Sequence, residues 1–467
     1  MFQTLINIFK VPELRNKILF TLFLLAIYRI GFAVPLPGVD QDQFVKIAQA
    51  QQTGESTAAS RVATYISIFS GGNINQSTIF GLGLMPYISA SIVFQLAATV
   101  IPSLEKLQKE GETGRRKIQE WTRYATVLLA FVQGGFWLKY IASQGLIASY
   151  FAGPGIGTFW IMGLVILTTG TVFLMWLGEQ IDEYGLGNGV SLLIMAGILS
   201  QLPGAIATVI RTFDPRTEAS ASSIGTADVV FLVCSFVAVT GFAILITQAQ
   251  RRIPIQQAKY TRGQKVYGGQ KQFLPLRLNH GGVMPVIFAQ SVMLFPGMLI
   301  AWINGVLARN DTTGQSTASS FFRWLNDMLG PGKLMYVLLE IAFIYFFAYF
   351  WTTVQFQPKE MAKQLQDYGS FVPGIRPGKR TADYLESVMY RITFVGAGFL
   401  CVIAVLPTVI ASSMNIPYMV ASFLGGTGLL IVISVALDMV QRIEANLMMR
   451  NYGGFLGEGG KRIRGRN

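Results

Sequence analysis

The residue types that carry covalent chemistry are scarce in this chain of 467 residues. His280 is the single histidine, and Cys234 and Cys401 stand far apart inside apolar runs, so neither a zinc site nor a disulfide framework is suggested. Both cysteines read as buried thiols acting as small hydrophobes. No GxxxxGK[ST], GxSxG or HExxH occurs; Gly457-Glu458-Gly459-Gly460-Lys461 lies in a polar tail and lacks the phosphate-loop spacing. Nucleotide or peptide hydrolysis by these motifs is therefore excluded, and any work must be driven by a partner or a gradient. Cofactors are expected to be none.

What the chain carries instead is patterned non-covalent chemistry. Ile88 and Ile92 are four apart and share one helix face, with Ser89, Ala90 and Ser91 small enough between them for close helix approach. Small-residue packing alone is the commoner explanation of such a run. Gln95, further along the same span, needs a hydrogen-bond partner. Two long polar loops carry the arginines and lysines. Residues 249–282 hold Arg251 and Arg252, and residues 355–391 hold Arg376 on Phe371-Val372-Pro373-Gly374-Ile375-Arg376-Pro377-Gly378, stiffened by two prolines. Loops above thirty residues are long for bare connections. An exposed basic platform suits an anionic partner, RNA or an acidic protein face. The alternative is plain positive-inside anchoring.

The elements that position these residues follow from composition. The chain is 52% hydrophobic and 13% charged, with mean hydropathy +0.46. A soluble domain carries about 25% charged residues. Windows of about nineteen residues give ten spans: 18–36, 79–101, 124–141, 156–177, 188–210, 229–248, 283–303, 334–354, 392–410 and 423–441. The loops on the side of the termini (1–17, 102–123, 178–187, 249–282, 355–391, 442–467) hold 28 of the 37 lysines and arginines, so both termini are expected in the cytoplasm. Residues 1–17 alternate apolar and polar side chains as a surface helix does and do not resemble a cleaved signal peptide. The spans divide into a first half, 18–210, and a second half, 229–441, joined by an outer hinge loop, 211–228, with a basic tail at 442–467. Five spans per half permits an inverted repeat, inferred from the span count alone.

The stretch Arg61–Phe80 is unusual. From Val62 it is uncharged, and its amphipathic run Tyr65-Ile66-Ser67-Ile68-Phe69, broken by Ser70-Gly71-Gly72-Asn73, is too short to cross a bilayer. It reads as a re-entrant element, or else as an interfacial helix on the outer surface.

These strings resemble the SecY family of bacterial protein-export channels (with its eukaryotic Sec61-alpha relatives) over nearly the whole chain. The resemblance is carried by Tyr28-Arg29-Ile30-Gly31, Pro35-Leu36-Pro37-Gly38, Ile68-Phe69-Ser70-Gly71-Gly72, Met85 to Ile92, Lys109-Glu110-Gly111-Glu112, Gly187-Asn188-Gly189, Gln250 to Pro254, Leu274 to Arg277 and Phe371 to Gly378. It implies an all-α membrane protein of ten transmembrane helices, two five-helix halves in a pseudo-symmetric inverted repeat around a central hourglass pore with a plug helix. By matching positions, the pore ring would be Ile88, Ile92, Val190, Ile194, Ile287 and Ile431. The plug, about 64–73, would include Ile66, Ile68, Phe69, Ser70, Gly71, Gly72 and Asn73. The second and seventh spans would form a lateral gate with Ser89, Ser91, Gln95 and Gln290, and Arg251, Arg252 and Arg376 would dock partners. Those partners would be the small membrane subunits SecE and SecG, the SecA motor ATPase, the ribosome with its RNA and proteins, signal sequences and nascent polypeptides, and membrane lipid. The site would be the bacterial plasma (inner) membrane, and the chain itself would not be an enzyme.

The rival from another class is a secondary transporter for a small solute, which needs ionisable or unwound sites near the midplane. Its candidates, Arg29, Glu340 and Asp438, sit near span ends or have no evident partner in the sequence.

Overall fold

Backbone polar groups cannot be left bare in hydrocarbon, so apolar segments of this chain satisfy them internally as helices. The computed structural model describes residues 12–40, 77–143, 145–151, 155–213, 225–257, 260–262, 265–267, 271–279, 281–293, 324–325, 328, 333–414 and 426–456. The expected plug, 64–73, His280, most of the outer hinge loop and the first eleven residues lie outside the described residues.

In chain order the helices are α1 (Pro12–Gly31), α2 (Met85–Val100), α3 (Pro102–Lys109), α4 (Glu112–Ser143), α5 (Ile156–Tyr184), α6 (Gly189–Thr212) and α7 (Thr226–Gln248). The second half continues with α8 (Met284–Met293), α9 (Leu334–Gln355), α10 (Pro358–Asp367), α11 (Lys379–Met414) and α12 (Thr427–Leu456). A described helix overlaps each of the ten expected windows. Among them α5, α6, α7, α9 and α11 are long and apolar enough to cross a membrane, with α2 and α3 a sixth span if that bent pair counts as one. The chain is thus a mainly helical, multi-pass membrane protein. α1 carries Arg15, Lys17 and Arg29, and α12 carries Asp438, Arg442 and Glu444, which keeps both below that measure.

Proline and glycine set the helix limits. Pro86 opens α2, where a missing N–H costs nothing. Pro102 forces Ile101 into an extended conformation (φ −95°, ψ 112°), and α3 leaves α2 at 104°. Gly38, at φ +88°, turns the chain beneath Phe159, so that a Cβ there would sit 2.8 Å from the ring. Around this turn the segments connecting the first helices are tied together: Leu36 N donates to Ser77 O (2.8 Å) and Asp40 N to Leu146 O (2.9 Å).

Two expectations about the inner side need correction. Residues 249–282, expected as a loop, contain β1 (Gln250–Gln257), β2 (Tyr260–Arg262), β3 (Lys265–Tyr267) and β4 (Lys271–Arg277). β1 and β4 pair antiparallel from Gln250↔Arg277 to Gln256↔Lys271. The physical reason is alternation: Ile253 and Ile255, with Leu274 and Leu276, turn to one face while Arg252 turns to the other, and Arg251, near the strand's end, is exposed as well. Residues 355–391, also expected as a loop, contain α10, β5 (Ser370–Phe371) and the start of α11. α11 begins well before its expected span because Leu385, Val388, Met389 and Ile392 recur at helical spacing and are buried. α12 likewise runs past the expected start of the tail at 442.

Within the first half α2 packs on α4, α4 on α5, α5 on α6, and α1 on both α5 and α6. In the second, α9 packs on α11 and α7 on α11 and α12. The α6–α12 contact joins the halves.

Candidate functional site

Only glycine allows the corner that places the first of the site helices. Between α5 and α6 the chain reverses through Gly187 (φ +103°) and Asn188. The Asn188 side chain accepts from Ser191 N at 3.0 Å and caps α6. Asp182 Oδ1 accepts from Gly189 N at 2.7 Å, and Leu186 N donates to Thr21 Oγ1 on α1 at 3.1 Å. A Cβ on Gly189 would collide with the carbonyl oxygen of Gly178, so α5 and α6 touch backbone to backbone. That contact sets the height of Val190 and Ile194 on α6. At the head of α8 a similar turn, with Gly282 at φ +58° and Asn279 Nδ2 donating to Gly282 O at 2.7 Å, places Ile287.

The residues expected to form the pore ring are buried together in the helical core. Ile88 and Ile92 on α2, Ile194 on α6, Ile287 on α8 and Ile431 on α12 are all at most 5% exposed and belong to one buried cluster that both halves feed. Val190 is half-buried against that cluster. Neighbours include Leu84, Leu193, Leu430 and Val435. These are branched, unpolar side chains with no directional bonding, so the set can exclude water and still separate.

The gate set is polar within the same region. Ser89 is buried and Ser91 half-buried on α2. Gln95 presents a buried Oε1 with no hydrogen-bond partner among the described residues. Gln290 on α8 is 6% exposed; its Nε2 donates to Glu340 Oε1 on α9 at 3.4 Å, while its own Oε1 has no partner among the described residues. Glu340 is therefore not partnerless, as its sequence neighbourhood suggested, and Asp438 is paired with Arg442 at 2.9 Å. Cys401 is buried as expected, whereas Cys234 lies exposed on the outer face of α7, where an apolar helix surface is available to lipid.

Arg251, Arg252 and Arg376 are all exposed. The structure brings their two loops together, which sequence reasoning missed. β5 pairs with β1 through Gln256↔Phe371 and Gln257↔Ser370, giving a sheet ordered β4-β1-β5. Ile253, Leu276, Phe356, Val372, Leu385, Val388, Met389 and Ile392 form a hydrophobic cluster beneath it. The signal was present in the Ile253/Ile255 and Leu274/Leu276 alternation. Arg376 sits on a turn closed by Ile375 N to Val372 O (3.0 Å), and its carbonyl accepts from Thr381 Oγ1 (2.9 Å). Arg277 Nη2 donates to Gln441 Oε1 at 3.1 Å, tying β4 to α12, the helix that carries Ile431.

Comparisons with known proteins agree with this geometry. The SecY family model matches residues 78–440. The protein translocase subunit SecY of Thermus thermophilus is 40% identical over 465 residues, covering 98% of each chain. Two solved structures share the fold. A SecY whose plug domain stabilises the closed state of its translocation channel has a TM-score of 0.57 at 16% identity, covering 94% of each chain. Sec61 of a canine ribosome–channel complex from the endoplasmic reticulum has a TM-score of 0.56 at 15% identity, again covering 94% of each chain. With the family model spanning most of its length and a relative this similar end to end, the chain belongs to the SecY family.

Proposed function

We propose that this chain is the pore subunit of a protein-conducting channel that moves secretory polypeptides across the bacterial plasma membrane and releases membrane segments sideways into lipid. The observation that supports the reading is that Ile88, Ile92, Ile194, Ile287 and Ile431, from four helices, are all buried in one aliphatic-rich core cluster. A neck of that kind has nothing with which to recognise a particular solute. Dispersion contacts are non-directional, so it seals against water and accepts side chains of any type as it parts. The solute-transporter alternative is disfavoured, because two of its three candidates, Asp438 and Glu340, are occupied by neighbours and the family is one of protein translocases.

The remaining assignments rest on the same reading. Ten spans cross the membrane with both termini cytoplasmic, as the lysine and arginine bias favours. α2 and α8 border the lateral gate, with Ser89, Ser91, Gln95 and Gln290 along it. Residues 64–73 are the plug; their exit is anchored where Trp137 Nε1 donates to Ser77 Oγ (3.4 Å) and Pro35 pairs with Thr78. The β4-β1-β5 platform, with Arg251, Arg252 and Arg376 in water, docks the SecA motor or the ribosome. The canine relative, solved in a ribosome–channel complex, supports the second partner. SecE and SecG are the expected membrane subunits.

The test is reconstitution. Vesicles carrying this chain with SecE- and SecG-type subunits, a SecA-type ATPase and ATP should protect a signal-bearing polypeptide from added protease. Uptake of small solutes without polypeptide transport would refute the proposal.

A further inference from the structure

An ionisable side chain buried in a membrane protein is costly and marks a function more often than a packing accident. Among the described residues Glu340 is the acid that stands out in this way. The inward stripe of α9 reads Tyr336, Glu340, Ile344, Phe347 and Ala348, all buried. A carboxyl occupies the position where the stripe calls for an aliphatic group, and it is 3% exposed. Among the described residues its hydrogen-bond partner is Gln290 on α8, fifty residues earlier in the chain. Gln290 is flanked by Val286, Ile287, Phe288 and Ala289, all buried in the cluster that forms the neck. A second contact runs alongside: the Phe288 ring meets Phe347 and Trp351 edge-on at 5.8 and 5.5 Å.

We propose that Glu340 is a positioning residue for the lateral gate, holding α8 on α9 through the Gln290 amide so that the gate helix moves with the second half as one body. This rests on the reading of α8 as a gate helix. The arrangement is only half-satisfied, because Gln290 Oε1 and, on α2, Gln95 Oε1 are buried without partners among the described residues. A gate built this way is held shut below its maximal stability, and the Glu340–Gln290 bond is what keeps the remaining polar group satisfied. Removing the carboxyl leaves the Gln290 amide unpaired at both ends. Replacing both residues by apolar groups removes the problem altogether, since the expensive state is one orphaned partner and not the absence of the bond.

The experiment is a double-mutant cycle in the full channel complex, reading the ratio of export of a defective-signal reporter to export of a normal one. E340L should raise the ratio about tenfold, and E340Q, which keeps an acceptor for Gln290 Nε2, should leave it within about twofold. E340L/Q290L should return it towards the parent value. A purely structural role would lower export of both reporters together and leave the ratio unmoved. If E340L channels fail to accumulate, the exchange variant E340Q/Q290E, which swaps donor and acceptor, should keep the parent ratio while Q290E alone raises it. The proposal is overturned if an accumulating E340L channel keeps the parent ratio, if E340L and Q290L act independently, or if the exchange variant behaves like Q290E alone. A cysteine in α2 cross-linked to one in α8 distinguishes the two levels. If that cross-link leaves export intact, the gate reading itself fails; if it blocks export while the ratio is unmoved in E340L, the gate stands and Glu340 has no part in it.

Discussion

Replacing Ile431 by asparagine tests the proposed neck at its most buried member. Ile431 is 2% exposed and lies among groups from both halves of the chain. Burying an isoleucine side chain contributes about 1.5–3 kcal/mol, and an amide buried there without a partner costs roughly another 1–3 kcal/mol. Together the change disfavours the closed arrangement by about 2.5–6 kcal/mol, counted against a state in which the side chain meets water. Part of this burdens the fold in open and closed states alike. If about half falls on the difference between them, the open fraction rises roughly eightfold to 140-fold. Planar-bilayer conductance of the purified complex without substrate should therefore increase by that factor, and cells should export reporters with defective signals. Ile431→Leu, which keeps volume and apolarity, should cost less than about 1.5 kcal/mol and leave both readouts near the parent. A channel with Ile431→Asn that assembles normally, stays silent in the bilayer and rescues no defective signal would refute the neck as the seal.

Other perturbations probe the remaining parts. Deleting residues 64–73 should raise resting ion conductance, and cross-linking Ile66–Gly72 to the channel interior should block export; unchanged conductance after deletion would return the segment to an interfacial helix. Arg376→Glu should lower motor-driven export roughly tenfold, through weaker docking, while the amount of channel in the membrane stays constant; normal motor binding would leave the arginine a topology anchor. Gly189→Ala puts a methyl group into the Gly178 carbonyl, so α6 must shift, and the solubilised complex should lose about 1–3 kcal/mol of stability in thermal denaturation. An unchanged midpoint would mean that the α5–α6 corner is not as tight as it is drawn here.

What the sequence could disclose follows from the range over which each feature is encoded. Helix positions depend on local apolarity, so a window of about nineteen residues finds a helix at each expected span. That window measures solvent preference alone. It is blind to where a helix continues into water, which is why α11 begins at Lys379 and α12 passes 442 unannounced. The helical spacing of Leu385, Val388, Met389 and Ile392 was the available signal, outweighed by the surrounding charges. The β1–β4 hairpin was hidden for a related reason. Its period-two alternation is short and interrupted by Pro254 and Pro275, residues that argue against strand interiors.

The site shows a sharper division between local and distant information. Spacing alone put Ile88 and Ile92 on one face, but could not say whether that face meets lipid or another helix. Ile194, Ile287 and Ile431 are ordinary members of apolar runs, and only the family resemblance singled them out before packing brought them together. Glu340 shows what neither source could supply. Read along the chain it is an isolated acid near a span end; its partner is Gln290, on a different helix. The same holds for Arg277 and Gln441, which join the docking hairpin to α12 across most of the second half. From Gln441 to Ile431 is ten helical residues, about 15 Å of rigid rise, so the platform proposed to receive a partner and the neck proposed to part share one stiff element. Apolar residues announce themselves to a hydropathy scale because lipid responds to each of them separately. The polar contacts that would make such a helix a lever are pairwise, and a pair has no signature in either member alone.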